Sequence, residues 1–161
     1  MDLNIAMKAA LAETWAWYFK AHSFHWNVRG PLFSQLHEFF GDIYEDAHGA
    51  VDDLAEHIRA LDEDAPHSLD EIVGPAKIKF EPADDAQQMI SQLVADNQTV
   101  IEALTEAQTA AEDAGKKGLA NFLQDRLDRH AKWGWMLLSS TRQGDEPRRM
   151  RDLYRKGKAN G

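Results

Sequence analysis

One pattern limits what this chain can become more than any other. His37 stands fifteen residues before Asp52 on a run, from about residue 32 to 61, that reads as one uninterrupted amphipathic helix. Asp52 and Glu56 are four residues apart, so both carboxylates project from one face and can address the same cation. His37 lies on nearly the same face, but at about 1.5 Å per residue it is about 22 Å away, too far to share that cation within one straight helix. A second copy of the helix, packed antiparallel about a two-fold axis near Tyr44 or Glu45, brings His37 of one chain opposite Asp52 of the other and makes the site twice. Gly41, Ala47, Gly49 and Ala50 surround that crossing point, where short side chains would let two backbones approach. Ordinary helix packing is an equal reason for small residues there.

The helix before it, over residues 3–28, carries Leu3, Met7, Ala10, Leu11, Thr14, Tyr18 and Ala21 on a helical period that ends at His25. Gly30-Pro31 breaks the pattern, because Gly ends helices and Pro opens them. His25 therefore sits at the close of one helix and His37 near the start of the next. The candidate metal-binding residues are His25, His37, Asp52 and Glu56. The sequence has no Cys, so every ligand is nitrogen or oxygen, a set that favours iron or manganese.

The run His25-Trp26-Asn27-Val28-Arg29-Gly30-Pro31, followed by Phe33, Leu36-His37-Glu38 and Asp52-Asp53-Leu54-Ala55-Glu56 with Ile58 and Leu61, resembles the Dps family of miniferritins. That resemblance implies an all-α, ferritin-like four-helix bundle with a short extra helix in the long crossover between its second and third helices. It implies a dodecameric shell whose ferroxidase sites take two His from one chain and the Asp and Glu from its mate. Iron (Fe2+/Fe3+), held as a di-iron pair, would be oxidised by hydrogen peroxide or oxygen and stored in the shell cavity, with zinc as an alternative occupant. The alternative function is DNA protection through a basic tail. One position departs from the pattern: the family commonly has an acidic residue four positions after the second His, and here stands Gly41, which predicts one firmly and one weakly held iron. Asp42 lies about 100° around the helix from Gly41, and Glu38 about 60° around and one turn back.

The rest of the chain suits that architecture. The connection from Asp62 to Asp84 contains a capping-box sequence, Ser68-Leu69-Asp70-Glu71, and a stop at Gly74-Pro75, which predict a short helix. Ile90, Leu93, Val94, Asn97, Ile101, Leu104 and Ala111 mark a helix over about 84–113; after a turn at Gly115–Gly118, Leu119, Phe122, Leu123, Leu127, His130, Trp133 and Leu137 mark another. A crossover of about twenty residues gives the second and third long helices parallel directions, as in ferritin-like bundles. Residues 1–144 form one domain and 145–161 a basic C-terminal tail. After Pro147 the six cations Arg148, Arg149, Arg151, Arg155, Lys156 and Lys158 against Asp152 alone give +5, so the net −9 leaves −14 on the preceding residues. Such a body attracts cations and repels nucleic acid, while the tail can contact phosphates. With no basic leader and no long apolar run, the expected location is cytoplasmic.

Other titratable residues have plainer readings. Glu45-x-x-His48 has the form of a ferritin di-iron pair, but that centre needs two such pairs, so Glu45 and His48 read as surface or interface residues. His22 falls one turn before His25 and is placed to support it; His57, His67 and His130 have no constellation. Trp26 reads as helix-end packing or as a neighbour of the oxidation site. Asp125 and Asp128 read as a solvated face or, by resemblance, as an acidic channel, where Asn121 replaces a common Asp. Trp15, Trp17 and Phe19 widen the first helix's apolar surface, as burial on more than one side requires.

Overall fold

The structure, a computed structural model, describes residues 2–141. The basic tail expected over 145–161 lies outside the described residues. Among the described residues there are five helices: α1 Leu3–Asn27, α2 Phe33–Ala60, α3 Leu69–Val73, α4 Ala86–Asp113 and α5 Lys117–Ser139. The fold is an all-α four-helix bundle, α1, α2, α4 and α5, with α3 interrupting the long connection.

Helix ends follow local chemistry. The carboxylate of Asp2 accepts from the Ile5 amide at 3.0 Å and opens α1; Asp85 accepts from the Gln88 amide at 2.8 Å and opens α4. At α3 the Glu71 amide donates to Ser68 Oγ at 3.2 Å, and the Glu71 carboxylate accepts from the His67 amide, one residue before the cap, at 2.8 Å. The turn between α4 and α5 is tighter than the sequence suggests. Gly115 has φ +67°, and the Lys116 amide reaches back to the Ala111 carbonyl at 2.9 Å, so α5 already begins at Lys117 and Gly118 is helical.

The core explains the breadth of the apolar surface on α1. That helix packs against α2, α4 and the α3 connection, and Trp17 is fully buried, its indole donating to the Leu93 carbonyl at 3.3 Å. Phe19 and Trp26 remain exposed. Polar groups stitch the layers together. Buried Glu13 accepts from the amides of Lys77 at 2.6 Å and Ile78 at 3.2 Å, fixing the crossover to α1. Lys20 pairs with Asp96 of α4 at 2.5 Å. Between α2 and α5, Asp46 accepts two bonds from Arg126, at 3.0 and 2.9 Å, and one from the Trp133 indole at 2.9 Å.

One expectation is corrected here. Gly41, Ala47 and Ala50 are buried inside this chain's own bundle, because α2 turns its small residues toward its own neighbours. Only Gly49 of that set is exposed, and a Cβ there would meet nothing within 4 Å. The small residues therefore do not form a shared strip for a partner helix. The outward face of α2 is instead acidic and polar, with Glu38, Asp42, Glu45, His48, Asp52, Asp53 and Glu56 all exposed.

Candidate metal centre

The turn at Gly30-Pro31 folds α1 and α2 against each other so that residues twelve apart become partners. His25 Nδ1 lies 2.6 Å from the His37 carbonyl oxygen, and His37 Nδ1 lies 2.8 Å from the His25 carbonyl oxygen. A carbonyl oxygen only accepts, so both Nδ1 atoms carry the proton and donate it. With Nδ1 so engaged, Nε2 is the nitrogen of each ring through which imidazole can bind a metal. The rings stack with centres 3.7 Å apart and planes at 20°, and both are half-buried. The donor set fits a divalent cation.

Further rings pack around this pair. Tyr44 packs edge-on against His25 at 5.2 Å, and His22 stacks on Tyr44 at 3.9 Å with planes 14° apart. His22 also lies 4.2 Å from Trp26 and 6.2 Å from His25, and its Nδ1 sits 3.4 Å from the Tyr18 hydroxyl. Burial, then the neighbouring His25 and His48, lower the pKa of His22 and keep it neutral near pH 7. Gly41 is the floor: a Cβ there would stand 3.4 Å from His25 Nδ1.

Asp52 and Glu56 are elsewhere. α2 is continuous from Phe33 to Ala60, so helix geometry keeps Asp52 about 22 Å from His37. Among the described residues no three His, Asp or Glu side chains gather into a group able to hold a metal ion. One chain therefore presents a histidine pair toward one end of α2 and a carboxylate pair toward the other.

The ferritin-like domain family matches this chain over residues 6–144. The DNA protection during starvation protein of Brevibacillus brevis is 34% identical over 124 residues, covering 74% of this chain and 81% of that protein. This chain belongs to the Dps family of ferritin-like proteins. Solved Dps structures agree: that of Bacillus brevis superposes with a TM-score of 0.81 at 30% identity over 85% of this chain and 93% of its own. The Dps protein of Vibrio cholerae, described as a member of a broad superfamily of ferritin-like diiron-carboxylate proteins, gives 0.81 at 28% identity over 85% and 87%.

The remaining predicted residues sort by burial. Glu45 and His48 are exposed, and Asp125 and Asp128 lie on the exposed side of α5. His57 packs on Phe122, with ring centres 4.6 Å apart. His130, which the sequence leaves without a constellation, is wholly buried; its Nδ1 donates to Asn97 Oδ1 at 2.8 Å, and Asn97 Nδ2 donates to the His130 carbonyl at 3.0 Å. Burial pushes its pKa down to about 3. Asp46 was missed by sequence reading, since its two arginines and its tryptophan come from 80 to 87 residues away. Among the described residues, no helix is long and apolar enough to cross a membrane.

Proposed function

We propose that this Dps-family chain oxidises Fe(II) and stores the product as Fe(III) inside a closed shell of its own copies, dodecameric by the family resemblance. The observation that carries the reading is the reciprocal His25–His37 lock, which commits two Nε2 lone pairs to an incoming cation while the matching carboxylates lie at the far end of the same helix. An antiparallel second copy across the exposed acidic face of α2 unites the halves, with His25 and His37 of one chain opposite Asp52 and Glu56 of the other. Two neutral nitrogens and two carboxylates neutralise a divalent ion and favour its oxidised, more highly charged state.

Fe(II) is the substrate. Two ions each give up one electron, and one hydrogen peroxide takes both, with two protons, to become two waters. Dioxygen is the alternative acceptor. Zinc suits the same His and carboxylate ligands and would act as a competing occupant. The −14 of residues 1–147 supports cation attraction and opposes DNA, so any DNA protection falls to the tail of residues 145–161, where the six cations after Pro147 lie.

The test is anaerobic Fe(II) binding followed by stopped-flow oxidation with peroxide and with oxygen, paired with sedimentation of the same sample. Saturable binding to a large closed oligomer and oxidation that both depend on Asp52 and Glu56 are expected. A stable monomer with full activity would overturn the reading.

A further inference from the structure

The place of the second iron is the open chemical question, because Gly41 supplies no side chain. Asp42 is exposed about 100° around α2 from Gly41, and Glu38, one turn before Gly41, is exposed as well. α1 offers another group. His22 is one turn before His25 on the same face, and apart from His37 it is the one imidazole ring packed near His25, at 6.2 Å.

We infer that His22 supplies a ligand to a second divalent cation beside the ion held by His25 and His37, in place of the carboxylate that Gly41 lacks. This assignment rests on the function proposed above, since Glu56 of the second copy is needed to bridge the two ions. The distances allow it. A metal–nitrogen bond of about 2.1 Å puts each ion roughly 3.2 Å from its ring centre, and paired ions stand about 3.5–4 Å apart, so rings 6.2 Å apart can each face one ion.

The ring is also braced as a ligand needs to be. It lies flat on Tyr44 at 3.9 Å, meets Trp26 at 4.2 Å and has the Tyr18 hydroxyl 3.4 Å from Nδ1. With the Tyr18 hydroxyl on the Nδ1 side, Nε2 is the nitrogen left for a cation in the tautomer that donates from Nδ1 to Tyr18. Neutral nitrogen in place of a carboxylate binds the second ion with one less negative charge. That ion is therefore the weaker of the two and the easier to release once oxidised.

The experiment is calorimetric titration of the assembled protein with Fe(II) under argon, which reads binding without turnover. The parent should show two unequal steps per site. His22→Ala and His22→Gln should weaken the second step at least tenfold and keep the first, with assembly verified by sedimentation. The Gln variant preserves bulk over Tyr44, so it separates lost ligation from collapsed packing. A single step in the parent, or two unchanged steps in both variants, would overturn the assignment. So would loss of the first step in His22→Gln with the oligomer intact, because His22 would then be supporting His25 and not binding metal. The Asp52→Ala, Glu56→Ala double variant should lose both steps; if it keeps the first, the error lies in the shared-site function and not in His22.

Discussion

Two histidine environments within the bundle show how one residue type is made accessible or inert. His25 and His37, where α1 meets α2, are half-buried and tethered through Nδ1 to backbone carbonyls, so Nε2 is left for a cation. His130, between α4 and α5, also donates through Nδ1, to Asn97, yet it is wholly buried and its Nε2 has no partner within the described residues. The tether is alike and access differs. Burial sets His130 to the neutral form at every pH above about 3, whereas the rings at the α1–α2 corner stay half-exposed.

The largest expected effect breaks the open side of that contrast. Asp52→Ala with Glu56→Ala removes both anionic ligands from exposed positions on α2, where the helix needs neither. Fe(II) affinity should fall by more than about a hundredfold, since even outer supports of a metal site are worth about 10–100-fold. Circular dichroism and sedimentation should be unchanged. Retained tight binding in an intact shell would place the chemistry outside these residues.

The closed side is tested by acid. His130 is unfolded-like at pKa 6.5 and drops to about 3 in the fold, so between those values the unfolded chain binds the extra proton. Stability should be fully present above pH 6.5 and decline as pH falls toward 3, by up to about 1.4 kcal/mol per pH unit from this residue. Denaturant unfolding at several pH values would show the slope, and His130→Leu should flatten it whatever it does to stability at neutral pH. An unchanged slope would mean that His130 is not the proton-linked group. Asp46 adds a separate contribution at lower pH. Burial alone would raise its pKa, but the bonds from Arg126 and Trp133 and the charge of Arg129 hold it below 3.8, so its share is present above 3.8 and lost on further acidification. Asp46→Asn should cost about 1–3 kcal/mol by leaving two guanidinium donors poorly matched between α2 and α5.

The sequence makes the open corner far more legible than the closed one. Gly30-Pro31, Ser68-Leu69-Asp70-Glu71 and Gly74-Pro75 are local signals, so the break between the first two helices, the short α3 and the approximate course of every helix follow from neighbours in the chain. His25 and His37 are readable because a single turn separates their helices. His130 carries no such signal: its period places it on the face of α5 with Leu127 and Leu137, but only the packing of Trp17 and Asn97 over it decides that it is sealed. The misreading of Gly41, Ala47 and Ala50 has the same origin. Composition shows that these residues are small, while the rotation of α2 against α1, which settles whom they face, is a property of the packed bundle.

The smallest expected effect probes the floor between the two regimes. Gly41 is helical with ordinary φ, and a Cβ built on it stands 3.4 Å from His25 Nδ1 and 3.5 Å from Cε1, normal contact that needs little movement. Gly41→Ala should therefore assemble, gain up to about 1 kcal/mol of helix stability and leave Fe(II) binding nearly as it was. Gly41→Asp adds an anion at the edge of the ring, where it competes with the His37 carbonyl for the Nδ1 proton and raises the basicity of Nε2. With His22 already serving the second ion, the new carboxylate is an addition and not a replacement, so the weaker calorimetric step should strengthen only a few-fold and peroxide consumption should quicken modestly. In a His22→Ala background the same Asp should rescue the second step by tenfold or more. Equal gains in both backgrounds would show that the two side chains do not serve the same ion, and the second ligand of the parent would then have to be sought on the partner's side of the two-fold axis.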